Sequence, residues 1–337
     1  MIEVSVILPV RNADSTLSRS LQSIQNQTCK NWELIIVEDR SKDNTQAIAS
    51  EFANADPRIV LMLNEGSGIV DALNNGIEKS KGRYIARMDA DDWAHPRRLE
   101  LQARYLSAKK EVGLVATRVN HRGNSSQQEG YARYVDWTNT LTRWPYIRAN
   151  RFVESPFAHP SVMFKRSIIG EYGGYRNGPF PEDYELWLRW MSRGVIMAKL
   201  EEYLLDWHDS GDRLSRIDPR YSTEAFYRVK AQYLGAWIKE TGLLKRPIWI
   251  WGAGRITRKR ARYLQEEGIR FSGYIDIDPK KAGKNLEELP VVQPDEIKTD
   301  NQPFVLSYVA SRGASSSISS YLNKRGLIVE QDYILAA

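Results

Sequence analysis

The first part of the chain alternates between short β-branched apolar runs and segments with apolar residues at helical spacing. Strands are predicted at 3–9, 32–38, 58–63 and 83–88, and helices at 14–28, 41–52 and 69–80. Units of about 30 residues with this alternation form right-handed βαβ crossovers, with helices on both faces of a mostly parallel sheet. We therefore predict an α/β fold. Because ligands of such sheets bind beyond the carboxyl ends of the strands, the polar residues after each strand are the first site candidates.

A second α/β pattern begins near residue 246. A helix is predicted at 218–241, followed by a strand at 247–251, a glycine turn, a basic helix and a strand at 271–275. These boundaries predict a first domain at 1–217, a helical connector at 218–245 and a smaller domain at 246–337. No regular pattern is visible at 120–150, which is predicted to be irregular. Gly252 and Gly254 match a dinucleotide-binding fingerprint, but Thr257 replaces its third glycine.

The composition limits the class of protein. Hydrophobic residues make up 42% of the 337 residues, which is ordinary for a globular chain with a sizeable core. No apolar run reaches the roughly 18 residues that span a bilayer, and no secretory signal is visible. Cys29 is the single cysteine, which suits a reducing compartment. We expect a cytoplasmic protein, and its net charge of +6 mildly favours an anionic partner.

Two acids follow the predicted strand at 83–88. In an extended segment, Asp89 and Asp91 would point to the same side, and two converging carboxylates repel each other unless a cation lies between them. Carboxylates, phosphate oxygens and water form the usual shell of Mg²⁺ or Mn²⁺. The alternative is an acidic loop that caps the helix after Pro96. The position at the end of a strand favours the metal site.

A second acidic pair, Glu182 and Asp183, opens a predicted helix. Acids in a first turn are often there because they stabilise the helix dipole, by about 0.3–1 kcal/mol. A carboxylate beside an aromatic wall can instead have its pKa raised far enough to serve as a general base. From the residues alone, both interpretations stay open.

An ordered set of short motifs runs through the first 215 residues. It comprises Pro9-Val10-Arg11-Asn12, Val37-Glu38-Asp39, Gly68-Ile69-Val70-Asp71, Asp89-Ala90-Asp91, His159-Pro160-Ser161, Gly173-Gly174-Tyr175, Glu182-Asp183 and His208. In this order and spacing, the set resembles the family 2 glycosyltransferases of the GT-A fold. The region after 246 resembles the small Rossmann-like domains appended to some sugar-modifying enzymes.

The resemblance implies a role for each matching residue. The catalytic base would be Asp183, with Glu182 as the second candidate. The nucleotide would be contacted by Pro9, Asn12, Asp39, Asp71 and Asp89, with Asp39 holding the base. A Mn²⁺ or Mg²⁺ ion would be held by Asp91 and Asp89, with His208 as a further ligand or a structural histidine.

The sequence departs from the family pattern at three positions. Arg40 stands where a small residue is usual, Arg11 replaces a frequent tyrosine, and Leu73 replaces a frequent arginine. These changes alter the size or the charge of the predicted nucleotide pocket. Outside the pocket, His159 is predicted to line the acceptor side. Three tryptophans are predicted to pack in the core, with stacking on a sugar as the alternative: Trp187, Trp190 and Trp207.

The combined prediction is an inverting, metal-dependent glycosyltransferase with a nucleotide-sugar donor, UDP being the expected nucleotide. Its acceptor would be a glycan or a lipid-linked sugar in cell-surface polysaccharide assembly. Further expectations are a homo-oligomer, no nucleic-acid partner, and peripheral contact with the anionic inner face of a membrane through the basic residues at 255–262. Two alternative functions are predicted for the second domain: a nicotinamide-dependent sugar oxidoreductase, or a module that binds a nucleotide or a partner.

Overall fold

The computed structural model describes residues 2–123, 129–209 and 214–337, and the chain divides into two compact units. The first unit comprises Met1–Ile147 and Pro156–Asp218, and the second comprises Arg148–Ser155 and Pro219–Ala337. The helix predicted as a separate connector lies in the second unit. The short segment from Arg148 to Ser155 also belongs to the second unit, which no feature of the sequence indicated.

The first unit contains an eight-stranded sheet in the order β3-β2-β1-β4-β7-β6-β8-β5. Its strands are β1 (Val4–Val10), β2 (Trp32–Glu38), β3 (Ile59–Leu63), β4 (Tyr84–Arg87), β5 (Trp93–Ala94), β6 (Val112–Arg122), β7 (Met163–Lys165) and β8 (Ile196–His208). The strands from β3 to β4 run parallel, but β7 is antiparallel to both β4 and β6. The sheet is therefore mixed, where a mostly parallel one was predicted.

The helices of this unit follow the predicted alternation closely up to β4. They are α1 (Leu17–Gln25), α2 (Thr45–Ala55), α3 (Gly68–Lys79), α4 (Arg98–Ala108), α5 (Glu129–Thr140), α6 (Trp144–Asn150), α7 (Ser167–Tyr172), α8 (Glu182–Ser192) and α9 (Leu214–Ile217), with the last residues of α6 in the second unit. The strands β1 and β2 are almost wholly buried, as expected for β-branched runs in the middle of a sheet.

The prediction that residues 120–150 are irregular is wrong, because α5 and α6 lie there. A contact distant in sequence fixes α5. The side chain of Asn139 accepts a hydrogen bond from the backbone N–H of Val119 and donates one to its carbonyl oxygen, both at 3.0 Å. Tertiary contacts of this kind override the weak helical pattern of a segment in which aromatic and basic residues are mixed.

The second unit contains a six-stranded sheet in the order β11-β12-β10-β9-β13-β14. Its elements are α10 (Thr223–Glu240), β9 (Ile248–Trp251), α11 (Arg255–Glu266), β10 (Gly273–Ile275), β11 (Asn285–Leu286), β12 (Leu289–Val292), β13 (Phe304–Ser307), α12 (Ala314–Lys324) and β14 (Tyr333–Leu335). All neighbouring strands are parallel except β11 and β12. Over the described ranges, none of the helices has the length and apolar character needed to cross a membrane.

Candidate active site

Asp39 lies directly after β2 and is buried. Its Oδ1 accepts a hydrogen bond from Asn64 Nδ2, and its Oδ2 accepts one from the backbone N–H of Gly68, both at 2.9 Å. Asn64 follows β3, and Gly68 is the first residue of α3. The carboxylate is therefore fixed where two strand ends meet a helix start, which is the ligand-binding edge of such a sheet.

Two arginines flank this carboxylate. An Nη1 atom of Arg11 lies 3.8 Å from one Asp39 oxygen, and Arg40 Nη1 lies 3.4 Å from the other. The backbone of Arg40 is left-handed, with φ at 57°, and Glu38 accepts hydrogen bonds from the N–H groups of Arg40 and Ser41. Both guanidinium groups are largely exposed, so they add positive charge at the mouth of the predicted nucleotide pocket.

Asp71 lies in the first turn of α3. One of its oxygens accepts a hydrogen bond from the Ser67 N–H at 2.9 Å, and the other accepts one from Asn177 Nδ2 at 3.1 Å. A Cβ atom at Gly66 would lie 2.1 Å from Asp71 Oδ2, so the close approach of this loop requires glycine there. Asp71 thus joins the loop beside Asp39 to the segment that precedes α8.

The other predicted nucleotide contacts lie at the end of β1. Pro9 is half-buried within the strand, and Asn12 follows it with φ at 50°. Asn12 Oδ1 accepts a hydrogen bond from the Lys42 N–H at 2.8 Å, and the Asn12 N–H donates one to Ser41 Oγ at 3.0 Å. These bonds hold the loops after β1 and β2 together.

Three carboxylates converge after β4. Oxygens of Asp89, Asp91 and Asp92 all lie within 4.8 Å of one another. The extended geometry predicted for Asp89 and Asp91 is wrong, because β4 ends at Arg87 and the chain turns there, with the Asp92 N–H 3.5 Å from the Asp89 carbonyl oxygen. This turn brings in Asp92, an acid of the same motif to which the sequence argument gave no metal-binding role.

Each of the three aspartates accepts a hydrogen bond from a residue of a different helix or strand. The buried Arg87 donates to Asp89 Oδ1 at 2.6 Å, and Arg19 of α1 donates to the Asp91 carbonyl oxygen at 2.7 Å. Asp92 is fully buried, and its Oδ1 accepts a hydrogen bond from the His208 N–H at 2.8 Å. A set of carboxylate oxygens fits a hard divalent cation such as Mg²⁺ or Mn²⁺.

His208 lies beside the acidic cluster because its backbone N–H donates a hydrogen bond to Asp92. Its Nδ1 is 3.3 Å from the carbonyl oxygen of Asp206. Burial, and then the charge of Arg19, lowers the pKa of His208 below its ordinary value, which favours the neutral imidazole that metals bind. The three-acid group itself consists of carboxylates only, so a ligand role for His208 stays a prediction.

The two acids predicted as bases differ in exposure. Glu182 is 1% exposed, whereas Asp183 is half-buried, and both lie at the start of α8. Glu182 Oε1 lies 4.0 Å from His159 Nδ1. Asp183 Oδ1 accepts a hydrogen bond from the Tyr184 N–H at 2.6 Å. Of the two carboxylates, only Asp183 retains contact with solvent to a useful degree.

His159 and Tyr175 form a buried pair beside Glu182. His159 Nε2 lies 2.7 Å from the Tyr175 hydroxyl. Burial, and then the charge of Arg87, lowers the pKa of His159 well below its ordinary value, so the imidazole is neutral. The pKa of Tyr175 is raised, mainly by burial but also by the charges of Asp183, Glu182 and Asp89. The Tyr175 hydroxyl therefore lies within the field of both acidic motifs.

The three tryptophans predicted as packing residues are buried, with Trp187 and Trp190 fully enclosed and Trp207 6% exposed. Trp187 also packs edge-on against His159. His159 is itself only 9% exposed, and its predicted position on the acceptor side stays a prediction.

The glycine turn of the second unit also meets an aspartate. The Ala253 N–H donates to Asp276 Oδ2 at 2.8 Å, and Lys281 Nζ lies 2.9 Å from the same oxygen. Asp276 follows β10, where a ribose-binding acid would stand in a dinucleotide site. In this chain, the Asp276 carboxylate accepts hydrogen bonds from the backbone N–H of the turn and from Lys281.

Comparison with known proteins identifies the family. The sequence model described as "Glycosyl transferase family 2" matches residues 5–173. The chain belongs to glycosyl transferase family 2. It is therefore a glycosyltransferase.

Two bacterial relatives match more than two thirds of this chain. The O-antigen biosynthesis glycosyltransferase WbnJ of Escherichia coli is 30% identical, over 70% of this chain and 89% of that protein. The amylovoran biosynthesis glycosyltransferase AmsE of Erwinia amylovora is 28% identical, over 74% of this chain and 91% of that protein.

A solved structure agrees with the fold. Residues 1–349 of S. aureus TarS, crystallised with UDP-GlcNAc, superpose with a TM-score of 0.52 at 15% sequence identity. The match covers 79% of this chain and 71% of that one. At this identity the likeness shows the GT-A fold alone.

Proposed function

We propose that this family 2 glycosyltransferase is an inverting, metal-dependent enzyme that transfers a sugar from a nucleotide diphosphate, with UDP as the nucleotide. The observation that carries the proposal is the convergence of Asp89, Asp91 and Asp92 beyond the end of β4. Two further groups support it: the fixed carboxylate of Asp39 at the same edge, and the base candidate Asp183 at the start of α8.

The nucleotide would bind along the ends of β1, β2 and β3. Asp39 is held by Asn64 and by the Gly68 N–H, so it is oriented before any ligand arrives. A preoriented acceptor lowers the ordering cost of binding. Asn12 and Asp71 border the same loops, and Arg11 and Arg40 supply positive charge for phosphates or for a base carbonyl.

The divalent cation would be held by Asp91 and Asp89, with Asp92 as an additional carboxylate and His208 adjacent. By analogy with the family motif Asp89-Ala90-Asp91, Asp91 is the principal ligand candidate, and Asp89 also accepts a hydrogen bond from Arg87. When bound, Mn²⁺ or Mg²⁺ neutralises the charge that develops on a departing diphosphate.

Asp183 would accept the proton of the incoming hydroxyl. As the acceptor oxygen bonds to the anomeric carbon, the bond from that carbon to the diphosphate oxygen breaks, and the configuration inverts. Glu182 is enclosed beside His159, so it is poorly placed to reach an acceptor. We assign the base role to Asp183 and a supporting role to Glu182.

The setting is proposed from the relatives, whose names place them in O-antigen and amylovoran biosynthesis. By analogy, the acceptor would be a glycan or lipid-linked sugar, and the enzyme would act in the cytoplasm at the inner face of a membrane. The second unit would be a Rossmann-like accessory domain, which its parallel β12-β10-β9-β13-β14 order supports. The bonds of Asp276 to Ala253 and Lys281 disfavour the oxidoreductase alternative.

A thermal-shift screen of nucleotide sugars tests the proposal. We expect one UDP-sugar to raise the unfolding temperature in the presence of Mn²⁺ and much less without it, since a ligand that binds the folded state stabilises it. Stabilisation by no nucleotide sugar under either condition would contradict the proposal. Equal stabilisation with and without the metal would contradict its metal-dependent part.

A further inference from the structure

A groove of about 980 Å³ lies in the first unit between α3, α7 and the segment that leads into β4. Four basic residues line it: Lys81, Arg83, Lys165 and Arg166. Lys81 and Arg83 precede β4, whereas the acidic cluster follows the end of that strand. The groove therefore opens at the amino end of β4, away from the edge that carries the proposed donor site.

The charges in this groove are crowded. Lys81, Arg83 and Arg166 are exposed, and the Arg166 N–H donates to the Arg83 carbonyl oxygen, which brings these two residues together. Burial lowers the pKa of Lys165, and the nearby cations of Lys110 and Arg83 lower it further. Lys165 therefore lies among like charges, which repel one another.

Carboxylates compensate this positive charge only in part. Glu33 accepts a hydrogen bond from the backbone N–H of Lys81, and the charge of Glu111 opposes the lowering of the Lys165 pKa. Glu78 lines the groove and is exposed. Among the described residues, none of the four basic side chains has a carboxylate oxygen within the 4.0 Å of an ion pair, while the ammonium of Lys165 donates to the carbonyl oxygen of Lys110. The groove thus presents a net positive concave surface lined by basic residues from several segments of the chain.

The basic run of α11 provides a contrast. Arg258 and Arg262 both pair with Glu287, at 2.8 and 3.1 Å, and Arg260 lies over the ring of Tyr227. Arg255 and Lys259 are exposed on the same helix. Although α11 has the densest basic run in the sequence, two of its arginines are ion-paired, whereas the described residues give the four groove cations no ion-pair partner.

We propose that the groove bounded by Lys81, Arg83, Lys165 and Arg166 binds a phosphate-bearing ligand. The shared chemistry is a phosphate diester or diphosphate, which comes either from an anionic lipid headgroup or from a soluble phosphorylated compound. Phosphate oxygens would relieve the repulsion among the cations and accept their hydrogen bonds. This site is additional to the donor site of the proposed transfer reaction.

Binding of two probes to the full chain tests the proposal, in EDTA and without donor so that the result does not depend on the transferase assignment. The probes are pyrophosphate, followed by calorimetry, and phosphatidylcholine vesicles with or without phosphatidylglycerol, followed by sedimentation. The groove variant is Arg83→Gln with Arg166→Gln, and the matched control is Arg143→Gln with Arg193→Gln, two exposed arginines of the same unit. Both pairs remove two exposed positive charges, and Arg83→Lys with Arg166→Lys keeps them.

We expect the groove variant to bind at least about tenfold more weakly, because each cation near a phosphate surface contributes substantially, while the control and lysine variants bind like the wild type. Loss confined to the vesicles would identify a lipid headgroup, and loss confined to pyrophosphate a soluble ligand. The proposal is overturned if the wild type binds neither probe, if the groove variant binds both normally, or if the control loses as much.

Discussion

In each of the two sheets, one strand is followed by an aspartate that accepts a hydrogen bond from a backbone N–H at or just before the start of a helix. The surroundings of these two aspartates differ. Asp39 accepts its hydrogen bond from the Gly68 N–H, and the exposed side chains of Arg11 and Arg40 flank its carboxylate. Asp276 accepts its hydrogen bond from the Ala253 N–H, and Lys281 Nζ lies 2.9 Å from the same carboxylate oxygen. Within the described part of the chain, the acidic group suited to a metal follows β4 in the first sheet. The two strand ends that carry Asp39 and Asp276 are therefore similar in local structure, but the surroundings of the first sheet suit it better to hold a metal ion and a ligand.

The difference arises from segments that are distant in sequence. At the first edge, α1 supplies Arg19 and β8 supplies the backbone N–H of His208, and in the proposed site α8 adds Asp183. At the second edge, the charged side chains near Asp276 come from the loop that directly follows it. A strand-turn-helix pattern thus predicts where a ligand could lie, whereas the reactive groups depend on what other elements bring to that place.

The largest effect is expected at the base. Asp183→Asn should reduce sugar transfer by about 10²-fold or more, because a positioned general base contributes that much, while the affinity for the donor is retained. Steady-state transfer and donor binding are measured together. Asp136→Asn, at an exposed acid of α5, is the control and should behave like the wild type. Normal transfer by Asp183→Asn would show that Asp183 only caps α8.

The next effect concerns the acidic cluster. Asp91→Asn removes one proposed carboxylate ligand, so the Mn²⁺ concentration for half-maximal activity should rise about tenfold or more, with little change in the unfolding temperature. Titration of activity with Mn²⁺ gives this value. Glu65→Gln, which removes an exposed acid of the same unit, should leave the titration curve in place. An unchanged curve for Asp91→Asn would remove this residue from the metal site.

A smaller effect, on stability, is expected in the second unit. Burial alone would raise the pKa of Asp276, but hydrogen bonds from the Asp278 N–H, Lys281 and the Ala253 N–H lower it below its ordinary 3.8. Asp276→Asn should cost about 1–3 kcal/mol of unfolding free energy at neutral pH and leave donor binding unchanged. Because the folded pKa is lowered, this cost should shrink as the pH falls below the ordinary value.

Denaturant unfolding of Asp276→Asn at several pH values checks that trend. Asp278→Asn, two residues further along and more exposed, is the matched control and should cost less. A loss of donor binding in Asp276→Asn would contradict the division of roles between the two sheet edges.

The smallest effect is expected at Arg40. Arg40→Gly relieves a left-handed backbone but adds freedom to the unfolded chain, so the unfolding free energy should change by less than about 1 kcal/mol. The affinity for UDP should fall a few fold, because a cation beside Asp39 is lost. Calorimetry of UDP binding measures this, and Arg40→Lys should keep the affinity. Unchanged affinity in Arg40→Gly would exclude Arg40 from the pocket.

Much of the first unit could be predicted from the sequence, because its early strands are continuous apolar runs and its site residues follow strand ends. The sequence did not reveal the Asn139 bonds that fix α5, the approach of Arg87 to Asp89, or the turn that adds Asp92 to the cluster. Each depends on contacts or backbone turns that local pattern does not encode. The different exposure of Glu182 and Asp183 likewise follows from packing around α8.

Donor hydrolysis tests the central claim most directly. We expect the wild-type protein to release UDP slowly from one UDP-sugar in Mn²⁺, and to stop releasing it in EDTA. Asp91→Asn should release much less UDP at limiting Mn²⁺, whereas Asp276→Asn should match the wild type. UDP release that is indifferent to EDTA and to Asp91→Asn, or that depends on Asp276, would contradict a metal-dependent site at the edge of the first sheet.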